Sequence, residues 1–85
     1  MAIKIEKLNK AVEMLNYKLK MPMEMYTENK INAGHFYMDQ SYGGYRLQRT
    51  YLDGCVNDIS DRGSKQEVYD FIKGMLLGIE LSKKD

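Results

Sequence analysis

The sequence has no tryptophan and only one each of proline, cysteine and histidine. A lone Cys55 rules out an internal disulfide, which fits a reducing compartment. His35 is the only imidazole, and a catalytic histidine needs a nucleophile or proton-transfer partner that the sequence does not specify. No apolar run approaches the roughly 18 residues that a helix needs to cross a bilayer. The amino end enters a mixed-charge segment instead of an apolar signal core, so the expectation is a cytoplasmic protein with no membrane association. No glycine-rich loop leads into Lys-Ser or Lys-Thr, no paired cysteines have zinc spacing, and no dinucleotide fingerprint occurs. The chain is therefore expected to be non-enzymatic, with no cofactor and no metal.

Charge of one sign is also missing. Thirteen Lys and Arg stand against twelve Asp and Glu, a formal net charge of +1, too balanced to steer a polyanion from a distance. Eighty-five residues form a single compact domain, 1–85, with a modest core. Self-association is one physical remedy for so small a core, and the seven Tyr and seven Met suit it.

What is present is organised around Gly34–Tyr51, read as a β-hairpin whose aromatic-rich arms meet at Gly43-Gly44 or at a wider loop that includes Tyr42. Phe36 and Met38 share one pleat phase, Tyr37, Asp39 and Ser41 the other. In the return arm Tyr45, Leu47, Arg49 and Tyr51 lie opposite Arg46, Gln48 and Thr50. The alternation predicts one face covered by helices and one polar face.

Before the hairpin, Ile5, Leu8, Val12, Leu15 and Leu19 recur at helical spacing, predicting a helix over Ile3–Leu19 that Pro22 stops. The alternating Met23–Thr27 reads as a short strand with methionines on one edge-strand face, and Glu28–Gly34 as a polar loop. After the hairpin, Asp53-Gly54 marks a turn and Cys55–Gly63 reads mainly as loop, with a short extended piece at Cys55–Asn57. Ser64-Lys65-Gln66-Glu67 is a capping box opening a helix that carries Val68, Phe71, Ile72, Met75, Leu76 and Ile79. Gly74 and Gly78, four apart, cost helix propensity and leave room for close approach to the sheet or to another helix, a pattern that carries little weight in a soluble chain.

A hairpin and two amphipathic helices bury their apolar sides only together. The predicted fold is α+β, a two-layer sandwich of order helix–strand–hairpin–helix (α-β-β-β-α), with both helices on one face of a small antiparallel sheet. Expected core positions are Ile5, Leu8, Val12, Leu15, Phe36, Met38, Leu47, Val68, Phe71, Ile72, Met75 and Ile79.

For chemistry, His35 has no nucleophile or proton-transfer partner specified near it and reads as a surface or half-buried ring. Cys55 lies near Asp53 and Asp58, which oppose a thiolate, and reads as a buried small residue. Asp53, Asp58 and Asp61 lack the alternation and terminal Glu of a calcium loop, so a hydrated loop explains them. The candidate interaction surface is the polar hairpin face with its neighbours: Tyr37, Tyr42, Tyr45, Arg46, Gln48, Arg62 and Lys65. The function expected of it is protein binding or homodimerisation. The alternative is RNA or DNA binding, with arginines on phosphates and tyrosines stacked on bases.

Two resemblances follow from these motifs. Pro22, Tyr26, Gly34-His35 and Gly63-Ser64-Lys65, in a helix–strands–helix order, resemble landmarks of the double-stranded-RNA-binding domain. That family holds phosphates with lysines at the start of its last helix; here Lys65 is followed by Gln66, Glu67 and Asp70. Tyr42–Arg49, Asp58–Ser60, Ser64–Tyr69 and Gly78-Ile79 resemble short uncharacterised proteins of phages and mobile elements of gut bacteria. This second resemblance implies a genomic setting and no activity.

Overall fold

The computed structural model describes residues 3–41, 43–51 and 54–82. Helix α1 spans Ile5–Lys18 and buries Leu8, Ala11, Val12 and Leu15, the apolar stripe, together with Asn16. Its end is set by backbone geometry: Lys20 takes the left-handed conformation (φ 58). Lys20 N–H then donates to Tyr17 O (3.2 Å) and Met21 N–H to Asn16 O (2.8 Å), a Schellman pattern with lysine where glycine is usual.

Strands β1 (Tyr26–Thr27) and β2 (Lys30–Ile31) form a hairpin of their own, separate from the main sheet. Glu28 (φ 50) and Asn29 (φ 67) supply the two left-handed residues of a two-residue primed turn. Of the expected Met23–Thr27 strand only Tyr26–Thr27 is extended, and its partner lies inside the expected polar loop. Alternating methionines without a neighbouring strand do not pair: Met23 is exposed, while Met21 packs against the core.

The main sheet is antiparallel, β3 (Phe36–Ser41), β4 (Gly44–Thr50) and β5 (Val56–Asp58) in that order. Ser41 pairs with Gly44 and Phe36 with Arg49, so Gly43, at φ 74, lies in the turn and Gly44 belongs to the strand. The third strand follows the hairpin in sequence. Beyond Asp58, paired with Gln48, the chain keeps company with β4 but gains two residues before it pairs Gly63 with Tyr45. Ser60 bridges this bulge: its Oγ accepts Leu47 N–H at 2.9 Å, where a regular ladder would offer a carbonyl.

Helix α2 spans Lys65–Ser82. Its capping box forms as the sequence indicates, Glu67 N–H donating to Ser64 Oγ (3.1 Å) and Ser64 N–H to Glu67 Oε1 (2.9 Å). Val68 and Ile72 are buried, and Lys18 near the end of α1 forms an ion pair with Glu80 of α2.

The fold is α+β. Leu8, Val12, Leu15, Val68 and Ile72 meet Phe36 and Leu47 in one core, with Met38 and Tyr45 packed at its margin. Phe36, Met38, Tyr45 and Leu47 occupy one pleat phase, so both helices cover the same face of the sheet. The smallest dimension, 20 Å, is that of one sheet under one helix layer.

Further expectations fail. Phe71 is 43% exposed, because Val68, Ile72 and the flank of Met75 and Ile79 take the core-facing stripe. A Cβ on Gly74 or Gly78 would meet nothing within 4 Å, so these glycines permit no close approach. Cys55 is exposed beside the β4–β5 turn.

Candidate functional site

The face of the sheet turned away from the helices carries the opposite pleat phase: Tyr37, Asp39 and Ser41 from β3, Gly44, Arg46 and Gln48 from β4, and Asp58 from β5. Two hydrogen-bond systems lie side by side on it. In one, Tyr37 OH donates to Gln48 Oε1 (2.7 Å) and Gln48 Nε2 to Asp58 Oδ1 (2.7 Å). The other oxygen of Asp58 accepts Arg46 Nη1 at 2.9 Å. The three strands are thus tied by side chains in register as well as by backbone.

In the other system Arg62 reaches from the bulged segment across β4 to β3. Its Nη2 donates to Asp39 Oδ2 (3.0 Å) and its Nη1 to Ser41 O (2.8 Å), and Ser41 Oγ also donates to Asp39 (3.2 Å). The crossing point is Gly44, where a Cβ would sit 2.7 Å from Arg62 Cγ. The second glycine of the pair therefore serves the passage of a side chain, while Gly43 serves the turn.

The electrostatics follow from these contacts. The hydrogen bond from Arg62 holds the Asp39 carboxyl below its ordinary pKa, helped by Ser41 and by the charge of Arg46. Burial raises the Tyr37 phenol, with Asp39 and Asp58 adding to the effect. Arg46 Nε is buried with no partner among the described residues, although its Nη1 is ion-paired.

Of the residues picked from the sequence, Tyr37, Arg46, Gln48 and Arg62 come together here. Tyr42 lies outside the described residues. Tyr45 is on the helix-covered face against the core, as its pleat phase requires. Lys65 opens α2, and none of the polar contacts of this face involves it. Arg49 is on the covered side, its guanidinium over the Phe36 ring at 5.0 Å.

His35 is buried and structural. Its Nδ1 donates to Pro22 O at 2.8 Å and its ring stacks on Tyr37 (6.2 Å between centroids, 7° between planes). Asp58 serves Arg46 and Gln48, and Asp53 lies outside the described residues.

A second polar feature escaped the sequence reading. Lys4, Lys7 and Lys10 of the α1 end line a cleft of about 710 Å³ shared with Gln66 and Tyr69 of α2. The Lys7 and Lys73 ammonium groups stand 5.2 and 5.6 Å from the centre of the Tyr69 ring. None of the ion pairs formed among the described residues uses these lysines. The spacing of three between Lys4, Lys7 and Lys10 was the available signal, and its meaning is visible only once the two helices are known to lie side by side.

No helix among the described residues is long and apolar enough to cross a membrane. No family model matches the chain, and no curated protein and no solved structure matches it significantly.

Proposed function

We propose that the chain is a small non-enzymatic, cytoplasmic interaction module that binds protein, a second copy of itself included, through the open polar face of its sheet. The observation that supports this reading is that the cations of that face are already matched: Arg46 by Asp58 and Arg62 by Asp39. A phosphate there would have to separate both pairs and would lie against two carboxylates. A protein surface with mixed donors and acceptors joins the network without breaking it, and Tyr37 adds a broad ring with a polar tip, the residue type that interfaces favour.

Nucleic-acid binding is the second reading, and the feature that favours it is the lysine cleft between the helices instead of the hairpin. Fluorescence anisotropy with duplex RNA and duplex DNA at two salt concentrations separates the two. The expected result is no salt-sensitive micromolar binding. Binding that weakens steeply with salt and with Lys7→Ala would overturn the preferred reading in favour of the cleft. Loss of the same binding with Arg46→Ala would return the nucleic acid to the hairpin face.

A further inference from the structure

The outer edge of β3 is the least finished part of the main sheet. Leu47 turns its N–H to Ser60 and its carbonyl to Ile59, and Tyr45 exchanges both groups with Gly63. The residues opposite them on β3, Met38 and Gln40, therefore belong to non-hydrogen-bonded pairs, and their N–H and C=O groups point away from the sheet. No strand among the described residues pairs with this edge.

Two residues further back, at the preceding outward-facing position, the same edge is completed. Phe36 also turns its backbone outward, and the buried Asn16 side chain of α1 meets it: Asn16 Nδ2 donates to Phe36 O (3.0 Å) and Phe36 N–H donates to Asn16 Oδ1 (2.8 Å). A primary amide used this way presents one donor and one acceptor, as a residue of a neighbouring strand would. Asn16 is a one-residue strand mimic, and the two positions after it are left without one.

We propose that Met38 and Gln40 take up an extended peptide of a partner protein, added as a fourth strand beside β3 with apolar side chains at alternate positions. The chemistry follows from what flanks the edge. A cleft of mixed lining, about 260 Å³, lies between α1 and β3; Val12, Met23, Phe36 and Met38 form its apolar part, beside polar groups that include Asn9, Glu13 and His35. It shares Glu13 and Met23 with a neighbouring cleft of about 400 Å³ that adds Met14 and Tyr17. Every second side chain of an added strand points to this side. Met14, Tyr17 and Met23 are 45%, 71% and 51% exposed, and methionines adapt to varied apolar shapes. The intervening side chains continue the polar face beside Tyr37 and Asp39.

A second copy of the chain does not fit the same edge. Asn16 brings α1 down to the outer side of β3, and a two-fold β3–β3 pairing brings the partner's α1 to the same face of the sheet. Paired strands lie about 4.8 Å apart, whereas packed helices need about 8–10 Å between axes. A bare extended segment brings no helix with it.

The test uses a phage-displayed library of random heptapeptides selected on the full chain, followed by the synthetic selected peptide. On saturation, exchange of the Met38 and Gln40 amide hydrogens slows at least tenfold, and Gln40→Pro weakens affinity at least tenfold. That proline removes an N–H that no internal ladder bond uses, and the exchange measurement stands without it should the variant fold poorly. Lys65→Ala, at the start of α2 and away from this edge, changes affinity less than twofold. Recovery of no binder, or of peptides that leave both amides unprotected, overturns the proposal. Protection of the two amides that rises with protein concentration alone assigns the edge to a second copy and overturns it too. Binding lost with Arg46→Ala and kept with Gln40→Pro overturns it while leaving the open-face reading intact.

Discussion

Asn16 carries more of this structure than its place in the sequence suggests. It sits beside Leu15 in a helix whose apolar stripe, Leu8, Val12, Leu15 and Leu19, is plain from spacing alone. Nothing in that spacing marks an amide that will be 2% exposed and bonded to a strand twenty residues away. Side-chain partners at such separation are decided by tertiary packing, which periodicity does not encode. Asn16→Ala leaves a buried donor and acceptor of Phe36 without partners, so a loss of about 2–4 kcal/mol is expected in urea unfolding. Lys20 gives the opposite sign. A left-handed lysine costs about 1 kcal/mol that glycine does not, so Lys20→Gly should raise stability by roughly that amount, read from the same unfolding midpoint.

Among the elements, the hairpin and both helices were legible because each has a strong local signal: alternation around a glycine pair, a spaced apolar stripe, a capping box. The face assignments within the hairpin also held. The third strand was legible only as a short extended piece at Cys55–Asn57, one residue early, because β5 is three residues long and its continuation pairs through a serine hydroxyl across a bulge, with no alternating pattern to announce it. The β1–β2 hairpin was missed because its turn is Glu28-Asn29, without the glycine that usually marks such turns. For the open face, the strand residues were readable and Arg62 was named, but the reason for Gly44 was not. That reason has a test. Gly44→Ala should cost about 1–2 kcal/mol, and most of the cost should disappear when measured in an Arg62→Ala background, because the clash then has no partner.

At the scale of the whole molecule, the two-layer arrangement was deducible from burial: two one-sided helices and a one-sided sheet have few other ways to hide their apolar surfaces. The same arrangement makes stability depend on pH. Asp39 is held below its ordinary pKa by Arg62, and Glu67 below its own by the Ser64 backbone amide and hydroxyl. A carboxyl with a depressed folded pKa contributes stability above its unfolded value, about 4, and that contribution is lost as pH falls through the folded value. Thermal unfolding midpoints should therefore fall below about pH 4, and Glu67→Gln, which cannot titrate, should flatten part of that fall.

The ion pair between Lys18 and Glu80 joins residues 62 apart, and it reflects where the two helices of the layer stand in the chain. Because α2 follows the other described elements in the chain, a ribosome delivers α1 and the hairpin before the helix that completes their cover. At about 5–20 residues per second, the 18 residues of α2 take about 1–4 s to make. Until α2 is in place Leu47 and Phe36 have only α1 to pack against, and the core side of the sheet stays half covered. The order of the elements thus makes α2 the piece that closes the core over a sheet covered until then by α1 alone.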